Sequence, residues 1–318
     1  MPTVSVLMPV YNAERYVDQA VESILGQSFR DFEFLIINDG STDRSGAILD
    51  ACAGRDQRIR VISRANTGYT VALNELLSLA AGELVARMDA DDVALPERFA
   101  RQVDFLRLHS DVVCVGTSVQ LVDRAGRFLR EGHPAMDHDT IQQRALDGDC
   151  PLNHPSVMMR RAAVQALGGY RPEFEPAEDL DLWLRLGEVG RLVSLPDVLM
   201  KYRQHPHSFS ERHQRRQLER SSAAVLEACR RRGLPPRDVA VTAWRPTNRR
   251  SRMETCLGHG RRGLERGDLG MALHYGLEAV GQAPWRAGGW GLLARVLARR
   301  LRRALLGGPR GSSADANS

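Results

Sequence analysis

The feature that most constrains this chain is an alternation in its N-terminal third. Four short apolar runs, at residues 4–11, 32–38, 59–63 and 84–88, are separated by segments with helical periodicity. The runs are apolar on both faces, which is the pattern of buried parallel strands covered by helices on either side. The intervening helices are placed at 14–25, 43–52 and 70–80. The first sets Val17, Val21, Ile24 and Leu25 on one side, the second follows Ser41 and Thr42 as potential caps, and the third carries Leu73, Leu76 and Leu77. The result is a Rossmann-like βαβ series ending near residue 92.

The following segment is less regular. It predicts a helix at 96–108 with proline in its first turn and a hairpin of 112–122 with 127–130 around Asp123-Arg124-Ala125-Gly126. It further predicts a strand at 156–159, a short helix at 161–167 stopped by Gly168-Gly169, a helix at 180–189, and a strand at 191–202 interrupted at Pro196. Strand signals end near 208, after which helices are expected at 211–231, 252–266, 269–282 and 292–306. Residues 307–318 read as a disordered tail. The expected organisation is therefore an α/β domain at 1–208 with a change of pattern after residue 92, then a basic helical region at 209–306.

Charge follows the same division. Residues 1–200 hold 20 Arg against 30 Asp and Glu, a net of −10; residues 201–318 hold 24 Lys and Arg against 9 Asp and Glu, a net of +15. The second region is thus suited to an anionic partner. No apolar run reaches the roughly eighteen residues of a membrane span, and the N-terminus reads directly into a strand rather than a secretory signal. The five cysteines form no C-x-x-C pair and read as free thiols of a reducing compartment.

Chemistry concentrates at the ends of the apolar runs. Met88-Asp89-Ala90-Asp91-Asp92 sets three carboxylates in four residues, and such mutual repulsion is best relieved by a cation. Oxygen ligands at a strand end suit Mg²⁺ or Mn²⁺, which shares its shell with substrate phosphates. Asn38-Asp39-Gly40-Ser41-Thr42-Asp43 occupies the corresponding place after the second run; it reads either as an N-cap or as a carboxylate for a nucleobase edge. Pro9-Val10-Tyr11-Asn12 follows the first run and offers an aromatic face for a base. Glu178 and Asp179 open a helix, whose macrodipole is expected to lower their pKa; they either cap it or supply a general base.

With these pieces in order, the chain resembles glycosyltransferase family 2, inverting nucleotide-sugar enzymes of the GT-A fold. The segments VSVLMPVYNAERYVDQAVESILGQSF, FEFLIINDGSTDRS, ELVARMDADDVALPERF, LNHPSVMMRR, GGYRPEFEPAEDLDLWLRL and KYRQHPHSFS carry the likeness over roughly two thirds of the chain. The resemblance implies an α/β fold with a mixed central sheet, in which 1–208 is the catalytic domain with a nucleotide-binding half at 1–92 and an acceptor-binding half at 93–208. It implies that Asp39 binds the base, typically uracil, in a pocket lined by Pro9 and Tyr11. Asp89 and Asp91 match the DXD pair, the first near the ribose and the second on a Mn²⁺ or Mg²⁺ ion that bridges the diphosphate. Asp179 matches the catalytic base, with Glu178 beside it. His154 falls in a segment bordering acceptor and sugar, and His205 where a histidine often stands near the metal. A Q-x-x-R-W signature of processive synthases is missing, which implies a single transfer.

Residues 285–306 place Trp290, Leu293, Val296, Leu297, Leu301 and Leu305 at helical spacing among arginines. This reads as an amphipathic helix that lies on an anionic membrane, with packing on the protein as the other reading. The expected partners are a nucleoside diphosphate sugar, a glycan or lipid-linked acceptor and the inner face of the cell membrane, approached from the cytoplasm. Nucleic acid is not expected, since the basic region lacks interleaved aromatics. A non-catalytic sugar binder and a sugar nucleotidyltransferase are the competing functions. Retention of all the acidic residues disfavours the first. The second requires a glycine-rich stretch after the first strand, and Val10-Tyr11-Asn12-Ala13 stands there.

Overall fold

A computed structural model describes residues 1–205, 214–237, 239 and 248–306. The chain divides into two compact units, Met1–Thr242 and Ala243–Ser318.

In the first unit, β1 (Val4–Val10), β2 (Phe32–Asp39), β3 (Ile59–Arg64) and β4 (Leu84–Arg87) lie parallel in the order β3-β2-β1-β4. Their apolar character follows from position: β1 lies between β2 and β4, and all of its residues are buried. Phe34, Leu35, Ile36 and Ile37 of β2 are likewise completely buried. Each such side chain contributes about 1.5–3 kcal/mol through burial. The crossovers are α1 (Val17–Leu25), α2 (Ser45–Ala53) and α3 (Tyr69–Leu79).

Beyond β4 the strand directions become mixed. The next elements are β5 (Val93–Ala94), α4 (Arg98–Leu108), the β6 (Val112–Asp123) and β7 (Phe128–Gly132) hairpin, and α5 (His138–Leu146). They are followed by β8 (Met158–Arg160), α6 (Arg161–Ala166), α7 (Glu178–Leu186), β9 (Arg191–Gln204) and α8 (Gln214–Arg231). β8 pairs antiparallel to both β4 and β6, β9 runs parallel to β6, and β5 closes the edge against β9. The expected mixed sheet is present.

Three features differ from expectation. β9 is continuous through Pro196: Leu195 opposes Thr117 and Val198 opposes Ser118, so Pro196 and Asp197 bulge out where proline has no N–H to donate. α5 has too few apolar positions to be signalled by periodicity and is started by Asp137 accepting from Thr140 N at 2.9 Å. The compact unit also continues beyond residue 208. α8 places Ala224, Val225, Ala228 and Cys229 against Leu180, Leu184, Ala145 and Phe174, so this helix belongs with the first unit.

The second unit comprises α9 (Arg249–Glu265), α10 (Leu269–Gln282) and α11 (Ala287–Leu306). Met253, Leu257, Leu264, Ala272, Leu292 and Val296 form its core. Asn248 and Ser251 make a reciprocal capping box on α9, and Asp268 caps α10 through Met271 N at 2.8 Å. The expected stripe is divided: Val296 is buried, whereas Trp290, Leu297 and Leu301 are exposed. The Leu305 side chain and residues 307–318 lie outside the described residues. Among the described residues, no helix is long and apolar enough to cross a membrane.

Candidate active site

The sequence-selected residues converge on the carboxyl ends of the parallel strands, where open α/β sheets receive ligands. Pro9 is buried near the end of β1, and Tyr11 just beyond it is 53 % exposed. Asn12 has φ +49°, a conformation asparagine tolerates, and its side chain accepts from Thr42 N at 2.8 Å. Asn12 N in turn donates to Ser41 Oγ at 3.0 Å, so the loops after β1 and β2 are laced together.

Asp39 ends β2 and is buried. Its carboxylate accepts from Thr67 N and Gly68 N, both at 3.0 Å, and from Arg64 Nη1. Gly68 has φ +104°, and at Gly40 (φ +74°) a Cβ would stand 2.6 Å from Asn66 N. Both glycines are therefore required for the loop to wrap around Asp39. Arg64 Nη2 is buried without a partner beside this carboxylate.

At the end of β4 the carboxylate oxygens of Asp89, Asp91 and Asp92 all approach within 4.8 Å of one another. Buried Arg87 donates to Asp89, to Tyr69 Oη and to Met88 O. Asp92 Oδ1 accepts from Arg203 N at 2.7 Å, while its Oδ2 is buried without a partner. Arg203 Nε donates to Asp91 O at 2.7 Å, and His205 Nε2 stands 2.8 Å from Asp91 Oδ2. Burial pushes the Asp92 carboxyl well above its ordinary range, reinforced by Asp91 and Asp89; Asp89 is raised by burial against the opposing pull of Arg87. An all-oxygen cluster with an orphaned carboxylate atom and an adjacent histidine fits a hard divalent cation.

Asp179 lies in the first turn of α7. Its Oδ1 accepts from Leu180 N at 2.7 Å and its Oδ2 from the Cys150 thiol at 3.0 Å. Glu178 is buried, and its Oε2 has no partner. The N-cap position belongs to Ala177, which makes no side-chain cap. The helix N-terminus was expected to lower these carboxyls, but burial prevails: both are raised, Glu178 strongly, with Asp179 as its second cause. α7 is anchored by Asp181, which is fully buried and bridges Arg185 and Arg171; Arg171 continues to Glu227 of α8 at 2.6 Å.

His154 is 8 % exposed, with Nε2 at 2.9 Å from Tyr170 Oη, Nδ1 at 3.5 Å from Tyr69 Oη, and its ring edge-on to Trp183. Burial, with Arg87 nearby, drives its pKa well down, so the ring is neutral. It reaches the site through Tyr69 and Arg87 rather than through an open face. Sequence reasoning missed Arg87, Arg203, Arg64, Tyr69 and Cys150. Only Arg87 left a trace, a charge inside an apolar run immediately before the acidic cluster.

An open α/β sheet that ends in an acidic cluster, with a carboxylate at a helix start within electrostatic reach of it, has the architecture of the GT-A fold. The pattern described as Glycosyl transferase family 2 matches residues 5–168. The glycosyltransferase EpsE of Bacillus subtilis is 35% identical over 247 residues, covering 76% of this chain and 87% of its own. The O-antigen biosynthesis glycosyltransferase WbnJ of Escherichia coli is 33% identical over 210 residues, covering 64% of this chain and 81% of its own. Among solved structures, S. aureus TarS 1-349 in complex with UDP-GlcNAc superposes with a TM-score of 0.57 at 16% identity, over 97% of this chain and 93% of that one. The chain belongs to glycosyltransferase family 2 and is a transferase enzyme.

Proposed function

We propose that this enzyme moves one sugar from a UDP-sugar to a hydroxyl of a glycan or lipid-linked acceptor in polysaccharide biosynthesis, with inversion at the anomeric carbon. The observation that carries the reading is Asp179: a carboxylate raised by burial, oriented by two hydrogen bonds, and near enough to Asp89 for each to feel the other's charge. A base with an elevated pKa is matched to taking a proton from a hydroxyl.

In this reading Tyr11 stacks on the base in a pocket with Pro9, and Asp39 accepts from the base edge through the one lone pair on Oδ2 that Gly68 leaves open. Asp89, Asp91 and His205 would hold Mn²⁺ or Mg²⁺, which when bound neutralises charge on the diphosphate. Arg87 fixes Asp89 from below, and Arg203 fixes the backbone of Asp91 and the carboxylate of Asp92. Asp179 takes the acceptor proton as the acceptor oxygen bonds to the anomeric carbon. The bond from that carbon to the phosphate oxygen breaks on the opposite face, and the nucleotide leaves with the electron pair. Burial pushes Glu178 well above the ordinary carboxyl range, which favours its protonated form as a donor to a sugar or acceptor oxygen.

Donor and base residues precede 208 and α8 packs with their unit, while the basic helical segment beyond it holds the enzyme on the cytoplasmic face of the cell membrane as a peripheral protein. A UDP-release screen across donor sugars, with Mn²⁺ and with excess chelator, tests the reaction, and NMR of the product tests its stereochemistry. Release from one or a few UDP-sugars, lost in chelator and giving the inverted anomer, is expected. Undiminished release in chelator would remove the cation, and a retained anomer would remove the single displacement.

A further inference from the structure

α11 is apolar on two opposite faces. Leu292 and Val296 turn into the core of the second unit, with Arg299 donating to Leu264 O at the end of α9. Trp290, Leu297 and Leu301 are 55%, 56% and 64% exposed. Their spacings of seven and four place them within about 40° on a helix of roughly 100° per residue, on the side away from Leu292 and Val296. Trp285 adds to the exposed apolar surface at 74%.

Beside this face, between α9 and α11, is a cleft of about 340 Å³ lined by Arg261, Arg295, Arg299 and Arg302, with Glu265 and the buried Leu264. Four guanidinium groups thus share one wall carboxylate. Among the described residues Arg261, Arg295 and Arg302 make no hydrogen bond or ion pair, so their donors are open to a ligand. Arginine is the side chain whose planar fork matches phosphate oxygens. On the helix circumference Arg295 and Arg302 lie roughly 120–140° from Trp290, on the flank between the exposed apolar face and the buried one, from which long side chains reach outward. Cationic groups at that level with apolar groups below them is the arrangement of a helix in a lipid interface.

We propose that this cleft seats the phosphate of an anionic membrane lipid whose chains lie against Trp290, Leu297 and Leu301. The proposal rests on the membrane reading above and deepens it from a diffuse basic surface to a defined headgroup site. The two can fail separately.

The test uses the full chain and vesicles of phosphatidylcholine with or without phosphatidylglycerol. Arg261→Gln with Arg302→Gln is compared with a charge-matched control outside the cleft, Arg249→Gln with Arg252→Gln. All four side chains are exposed, and melting curves establish that the variants fold; should the first pair not fold, Arg295→Gln alone reads the same loss. The cleft pair is expected to lose about tenfold or more in binding to anionic vesicles, and the control at most about threefold. Leu297→Ser with Leu301→Ser should remove the binding that survives high salt. UDP release onto a water-soluble acceptor should stay unchanged in every variant. Equal losses in the two arginine pairs would overturn the cleft while leaving the membrane reading. No vesicle binding by the intact chain would overturn both. If inorganic pyrophosphate raises the melting temperature through the cleft arginines while vesicles fail to bind, the site takes a soluble phosphate and the lipid assignment is wrong. If the leucine exchanges instead convert a dimer into a monomer, the face belongs to a second copy and the proposal falls.

Discussion

The two units use arginine in opposite ways. In the catalytic unit Arg87, Arg98, Arg185 and Arg203 are 5% exposed or less, and each is tied to carboxylates, carbonyls or a side-chain amide. Arg98 is so deeply buried, with the Arg87 charge nearby, that its pKa is pulled down to about 9. In the helical unit Arg261, Arg295 and Arg302 lie exposed along a cleft. The same side chain is a structural counter-charge in one place and an open donor in the other. The difference lies in the acidic residues: the first 200 residues carry an excess of 10, and the remainder has a net charge of +15. Buried cations allow a cluster of carboxylates to be crowded at a strand end; with few carboxylates near them, the arginines along the cleft keep their donors facing outward.

Substitutions can break this contrast, beginning with the largest effects. Asp91→Ala should abolish turnover and metal-dependent donor binding, measured by UDP release and by titration of UDP with and without Mn²⁺. Near wild-type activity would shift the cation elsewhere in the acidic cluster. Arg87→Met should cost about 3 kcal/mol of stability in a denaturant melt, because it removes a fully buried cation and leaves the half-buried Asp89 carboxylate without its partner. Arg295→Gln in the helical unit should stay within about 0.5 kcal/mol of wild type. Similar values for the two would erase the distinction between counter-charge and open donor.

Cys150→Ala should have a smaller effect, chiefly on pH dependence. The thiol hydrogen bond favours the charged form of Asp179 against the burial that raises its pKa. The base must be ionised to act, so activity is lost as pH falls through that pKa. Removing the thiol should therefore move the acid limb of kcat/KM to higher pH, with the plateau rate reduced less than about tenfold. Cys150→Ser, which retains a donor, should return the limb towards wild type. An unmoved limb in the alanine variant would show that the thiol does not tune the base.

Legibility in the sequence followed the length scale of the cause. β1 to β4 and α10 could be read directly, because both depend on local periodicity that their burial preserves. So could the placement of Asp39, Asp89, Asp91 and Asp179, each attached to a strand end or helix start. β5, only two residues long, and α5, whose apolar positions are few, depend on tertiary partners and left little trace. The same applies to Cys150, which meets Asp179 across 29 residues, and to Arg203, which meets Asp91 across 112. The carboxyls at the start of α7 were misjudged in sign, since a helix dipole is visible in sequence but burial is not. The stripe of α11 was read as one face because spacing alone cannot distinguish a side chain pointing into a three-helix core from one pointing away.

The most direct test is the separation of donor binding from turnover in Asp179→Asn. UDP affinity in Mn²⁺ is measured by titration and the rate by single-turnover transfer from the best donor found. UDP affinity close to wild type with a rate lower by about 10²–10⁴-fold is the result expected of a general base. A variant that transfers sugar at nearly the wild-type rate would contradict the assignment and move the proton acceptor to another group, with Glu178 the first to examine.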